Sequence, residues 1–232
     1  MSQRIAIIGG TSGIGAQALQ HWRSQGHEVH AACRKPEVLA AQGVSAQHFD
    51  ALHPTPLQWP EKLDSFVYFP GSISLKPFHR IGHDDFARDL QVNLLGAVHA
   101  LQSAMPALKA SGNASVVLFS TVAVAQGMPF HASIAAAKGA IEGLARSLAA
   151  EWAPLIRVNA VAPSLTDTPL AQSLLSDETK RAAAAKRHPL QLVGQVGEIV
   201  ALLDFLISDH SRFMTGQILR PDGGLSSVRL FH

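Results

Sequence analysis

The sequence predicts an α/β protein of the doubly wound kind, a seven-stranded, mostly parallel sheet with helices on both faces. Three observations carry that expectation. Short apolar runs alternate with longer stretches of helical period. Strand candidates such as Ser115-Val116-Val117-Leu118-Phe119 are apolar almost without interruption, as suits a sheet buried on both sides. The first strand runs into a glycine-rich turn that opens a helix pattern.

In chain order, strands are expected at 4–8, 28–33, 45–49, 64–69, 114–120, 155–161 and 217–220. Helices are expected between them at 13–25, 83–110, 133–152, 168–187 and 196–208. No linker, repeat or charge block divides the 232 residues, so 1–232 reads as one domain. Hydrophobic residues make up 47% and charged residues 16%, the balance of a chain with a core and not of a disordered one. A formal charge of +2 offers no basic stripe for nucleic acid or a membrane surface. The single cysteine, Cys33, excludes an intrachain disulfide and a cysteine-rich metal site, and no metal is expected. No run approaches the ~20 apolar residues of a membrane span, and Ile5-Ala6-Ile7-Ile8 is too short for a signal peptide. A soluble, cytoplasmic protein is expected.

The turn after the first strand reads Gly9-Gly10-Thr11-Ser12-Gly13-Ile14-Gly15. Glycines serve where backbone bends sharply and comes close to a pyrophosphate, and the following helix N-terminus offers free N–H groups to the anion. The motif Gly9-x-x-x-Gly13-Ile14-Gly15 resembles that of the short-chain dehydrogenases/reductases, Rossmann-type enzymes. The likeness runs on through Asn93, Ser120-Thr121, Lys138 and Arg157-Val158-Asn159-Ala160-Val161-Ala162-Pro163 to Asp222-Gly223-Gly224, covering almost the whole chain.

That resemblance implies a dinucleotide held by Gly9, Thr11, Ser12, Gly13, Ile14 and Gly15. Asp50 would lie near the adenine amino group, with Ala51 covering the ring. Pro70 and Gly71 would end the fourth strand at the cofactor. Lys138 would hold the nicotinamide ribose, while Pro163, Thr166 and Thr168 would serve the carboxamide and pyrophosphate. Where NAD enzymes carry an acidic residue after the second strand, this chain has Cys33-Arg34-Lys35. A guanidinium can grip a 2′-phosphate through charge-assisted bidentate bonds, so NADP(H) is the expected cofactor, with Arg34 the main discriminator and Lys35 beside it.

The family's usual chemistry needs a tyrosine four residues before the lysine, on one helix face. Here Lys138 is present, but Ile134 stands in that place. Asn93 is kept, and Thr121 takes the position of the carbonyl-binding serine. The enoyl reductases of this fold place the acid seven residues before the lysine, and His131 has that spacing. His131 is then either a replacement proton donor or an exposed residue ahead of the helix. Tyr68, the only tyrosine, reads as a packing residue.

Segment 165–190 is expected to form a substrate lid, with Leu170, Leu174 and Leu175 at apolar spacing and Gln172 and His188 facing solvent or substrate. Relatives pair the counterparts of helices 83–110 and 133–152 across a two-fold axis, which implies a homodimer or homotetramer. The resulting reading is an NADP(H)-dependent oxidoreductase with a non-standard proton donor, moving hydride to or from a carbonyl or conjugated double bond of a small molecule. The alternative is a catalytically impaired NADP(H)-binding sensor or assembly subunit.

Overall fold

Every expected strand forms in the computed structural model, which describes residues 2–230. They are β1 (Arg4–Ile8), β2 (Glu28–Cys33), β3 (Ser45–His48), β4 (Ser65–Tyr68), β5 (Ala114–Phe119), β6 (Ile156–Val161) and β7 (Ile218–Leu219). They join in one sheet in the order β3-β2-β1-β4-β5-β6-β7. Each neighbouring pair is parallel, so the sheet is parallel throughout and not merely for the most part. The helices are α1 (Gly13–Ser24), α2 (Pro36–Ala40), α3 (His83–Leu90), α4 (Gly96–Ser111), α5 (Val122–Ala125), α6 (Ala132–Trp152), α7 (Glu178–Lys186) and α8 (Val196–Ile207).

The apolar strands divide their side chains between two cores, because successive residues point to opposite faces. Ala6, Ile8, Val116 and Leu118 pack with α4 and α6. Ile5, Ile7, Val117 and Phe119 pack with α1 and α8. This two-sided burial is what makes an uninterrupted apolar run stable as a strand.

Two helical expectations need correction. The stretch 83–110 is interrupted by a π turn, Gln91–Leu95, between α3 and α4. Such widened turns are rare and concentrate at functional sites; this one turns Asn93 inward, where it is fully buried. The stretch 168–187 is not one helix. Thr168 caps a 3-10 turn at Pro169–Leu174, and the Asp177 carboxylate accepts from the Lys180 N–H to start α7. Two N-caps within ten residues split it. The short α2, which begins on Pro36, is an element the periodicity does not reveal, although proline suits a first helical position.

Arg157 on β6 ties the sheet to the end of α8. Its guanidinium is buried and donates to the carbonyls of Leu206, Ser208 and Ser211 and to the Ser211 hydroxyl, at 2.9–3.2 Å. A cation is favoured at a helix C-terminus. Arg157→Met, which keeps the stem and strands those carbonyls, should cost about 2–4 kcal/mol in urea denaturation.

Candidate active site

The strand order reverses between β1 and β4, and the loops at the carboxyl ends of the strands meet above that point. In sheets of this kind the crevice there is where ligands bind. Gly9 and Gly10 have φ of +105° and +98°, a region closed to most side chains. A Cβ on Gly15 would lie 3.0 Å from the Gly10 nitrogen, so the first turn of α1 presses directly on the loop. Ser12 sits at the N-cap without a side-chain bond to the helix, which leaves the first-turn N–H groups open. Across the crevice, a Cβ on Gly13 would lie 3.7 Å from Cβ of Thr168, so the glycine loop and the loop after β6 face one another.

At the end of β2, Arg34 and Lys35 are exposed, and neither side chain makes an ion pair or hydrogen bond among the described residues. Burial pushes the Cys33 thiol up, away from reactive thiolate character. Asp50 follows β3, where one carboxylate oxygen accepts from the Leu52 N–H at 3.0 Å. Ala51 is buried.

Beyond β4 the chain passes Pro70 and Gly71, and two polar groups converge there. A Cβ on Gly71 would lie 3.5 Å from Asn93 Oδ1 and 3.7 Å from Lys138 Nζ. One methyl group would touch both. Asn93 donates its amide to the Asp89 carbonyl at 2.8 Å and to Ser72 Oγ at 2.9 Å. Its Oδ1 is buried with no hydrogen-bond partner among the described residues. Lys138 is buried on α6, and desolvation draws its pKa down from 10.5 to about 8, against the attraction of Asp89. A buried, unpartnered acceptor beside a desolvated ammonium fits a cleft built for a polar ligand. These residues, the open α1 N-terminus and the facing Gly13–Thr168 loops suit a dinucleotide.

Thr121 caps α5 by accepting from the Ala123 N–H at 3.3 Å, so its hydroxyl proton is left to donate. Its neighbour Ser120 is committed elsewhere, donating to buried Glu142 at 2.9 Å. Ile134 is buried. His131 precedes α6, and its Nδ1 lies 2.7 Å from the Pro129 carbonyl; no hydrogen bond joins its ring to Lys138, Asn93 or Thr121 among the described residues. Tyr68 is buried, donates to the Val92 carbonyl at 2.6 Å and has its pKa raised by burial, as a packing residue should.

On the far side, Pro163 accepts from the Val122 N–H, next to Thr121. Thr166 is buried and donates to the Ser164 carbonyl, while Thr168 accepts from the Ala171 N–H. Within 165–190, Leu175 is buried with Ala171 and Ala184, Leu170 is exposed, and Gln172 is exposed. His188 faces neither solvent nor an open cleft. It is buried, with Nε2 2.8 Å from Ser164 Oγ and Nδ1 3.0 Å from the Ala184 carbonyl. The residue that sequence reasoning missed is Asp89, fully buried one helical turn before Asn93. An aspartate four residues ahead of an inward-facing asparagine was its only signal.

A parallel sheet with this glycine turn, and with a buried lysine facing an unpaired asparagine, defines a Rossmann-type domain of the oxidoreductase kind. The family model described as enoyl-(acyl carrier protein) reductase matches residues 9–226. Two tropinone reductase homologues of Arabidopsis thaliana are 33% and 36% identical, over 95% and 90% of this chain and 91% and 67% of their own. The ligand-free aldohexose dehydrogenase of Thermoplasma acidophilum matches with a TM-score of 0.90 at 26% identity, over 100% of this chain and 96% of that one. A gluconate 5-dehydrogenase from Burkholderia cenocepacia, in complex with NADP and tartrate, matches at 0.87 and 27%, over 99% and 97%. The chain belongs to the short-chain dehydrogenase/reductase family of oxidoreductases and has its Rossmann-type fold. No helix among the described residues is long and apolar enough to cross a membrane.

The depressed pKa of Lys138 has a measurable sign. Between about pH 8 and 10.5 the unfolded chain binds the proton that the folded one has lost, so stability rises with pH through that window. Relative to Lys138→Met, the wild type should gain on the order of 3 kcal/mol over that interval. Denaturant midpoints of both proteins at matched pH test this.

Proposed function

We propose that this protein is a cytoplasmic NADP(H)-dependent reductase or dehydrogenase acting on a carbonyl or conjugated double bond of a small molecule. The observation that carries the reading is the convergence of Lys138 Nζ and Asn93 Oδ1 at Gly71. The preference for NADP(H) is supported by the exposed, unpaired Arg34 and Lys35 at the end of β2, where a guanidinium can grip a 2′-phosphate. The relative crystallised with NADP supports the same choice.

When bound, the dinucleotide supplies or accepts the hydride. Gly9 to Gly15 would receive the pyrophosphate at the open helix end, and Arg34 would hold the adenosine 2′-phosphate. Lys138 would hold the nicotinamide ribose, while Thr166 and Thr168 would anchor the carboxamide side. Thr121 donates its hydroxyl to the substrate oxygen. Ile134 brings no titratable proton, so the proton comes from water held by Thr121 and Lys138. His131, engaged by Pro129, is not needed for it. Pairing of α4 and α6 across a two-fold would give a homodimer or homotetramer; the small residues Ala135, Ala136 and Ala140 allow the close approach.

Calorimetry should find NADPH bound at least ~10-fold more tightly than NADH, with Arg34→Ala abolishing the difference. Equal or reversed affinities would overturn the cofactor assignment. His131→Ala should keep turnover within a few fold; a ~10²-fold loss would move the proton donor to that imidazole. A catalytically impaired sensor would bind NADPH but consume none across a panel of carbonyls and enones. Ile134→Tyr should raise turnover on such a panel if the site is that of an enzyme.

A further inference from the structure

Asp89 is a fully buried carboxylate without a cation in direct contact among the described residues. Buried charges are normally neutralised, so this one needs an explanation. Three hydroxyls from two other segments converge on it. Ser72 donates to Oδ1 at 2.7 Å and Ser74 at 3.5 Å, both from the loop after β4, and Ser133 on α6 donates to Oδ2 at 2.7 Å. The same Ser72 hydroxyl accepts from the Asn93 amide. Asp89, Asn93 and the Gly71 loop therefore form one connected polar unit, and its unpartnered end is the Asn93 oxygen that meets Lys138 Nζ at Gly71. Ser133 lies one residue before Ile134 and five before Lys138, so the carboxylate is also pinned to the helix that carries the lysine.

We propose that Asp89 is the positioning residue of this site, a buried counter-charge that holds the Lys138 ammonium in place and charged where position 134 offers it no polar partner. The proposal rests on the reading of Lys138 as the cofactor-binding lysine, and it adds a residue from α3 to that reading. Other charged groups packed around α6 are engaged elsewhere or turned away. Glu142, one turn further along, accepts from Ser120 and pairs with Arg146. Arg157 on β6 is taken up by the end of α8, and Arg88 on α3 is exposed. Lys76 in the loop after β4 pairs with Asp85, and Asp167 after β6 pairs with Arg181. The His131 ring is bound to Pro129. The π turn, α5 and β5 carry no titratable side chain.

The test is a titration of cofactor-free protein with 13C-labelled lysine, the Lys138 ε-carbon being assigned by its loss in Lys138→Met. The wild type should titrate near pH 8. Asp89→Asn, which keeps shape and removes charge, should lower that midpoint by about one unit, a tenfold loss of proton affinity. An unmoved midpoint in folded Asp89→Asn would overturn the proposal, even if the variant melted earlier. If Asp89→Asn alone does not fold, the Asp89→Asn/Lys138→Met pair decides. Recovery of folding in the double variant supports a charge pair, and equal failure of both refutes it. Because no cofactor is present, failure of NADPH to bind would sink the proposed function without touching this result.

Discussion

Taking an ammonium out of water is the constraint around which this site is organised. Lys138 is buried against Gly71, and its ordinary charge would be lost without compensation nearby. Three features shape its surroundings. The π turn buries Asn93, and its amide oxygen and the lysine nitrogen both come to Gly71. Gly71 has no side chain to fill the space between them. Asp89, satisfied by serine hydroxyls, would add the negative charge proposed above. Each depends on the strand order, because only the reversal between β1 and β4 opens a crevice where these loops meet.

The loop after β6 completes the crevice and links it to the segment above. Arg181 on α7 grips Asp167 with two bonds, at 2.7 and 3.2 Å. His188 fastens the end of α7 to Ser164. The stretch expected to cover the substrate is thus tied to the loop after β6 at both ends of its helix. Leu175, Ala171 and Ala184 give it a small core of its own. Small satellite cores of this kind suit segments that open separately from the main body.

Most of the sheet was legible because buried parallel strands are written as continuous apolar runs, and β5 is a nearly pure example. The glycine loop was legible because left-handed backbone needs glycine. What escaped notice depends on partners distant in sequence. Asp89 looks like an ordinary helix-surface aspartate until Ser72, Ser74 and Ser133 come to it from elsewhere. His188 looks like a solvent-facing histidine until Ser164 comes to it as a partner. The π turn leaves no mark on a hydrophobic period. The stretch 168–187 reads as one helix because Leu170, Leu174 and Leu175 keep a helical rhythm that carries no sign of the two capping residues on either side, Thr168 and Asp177.

The most direct test is a crystal structure of the protein soaked with NADPH. It should show the adenosine 2′-phosphate against the Arg34 guanidinium and the nicotinamide ribose within hydrogen-bond reach of Lys138 Nζ, about 3 Å. Nucleotide density elsewhere on the molecule, or a ribose that leaves Lys138 and Asn93 untouched, would contradict the assignment of this crevice.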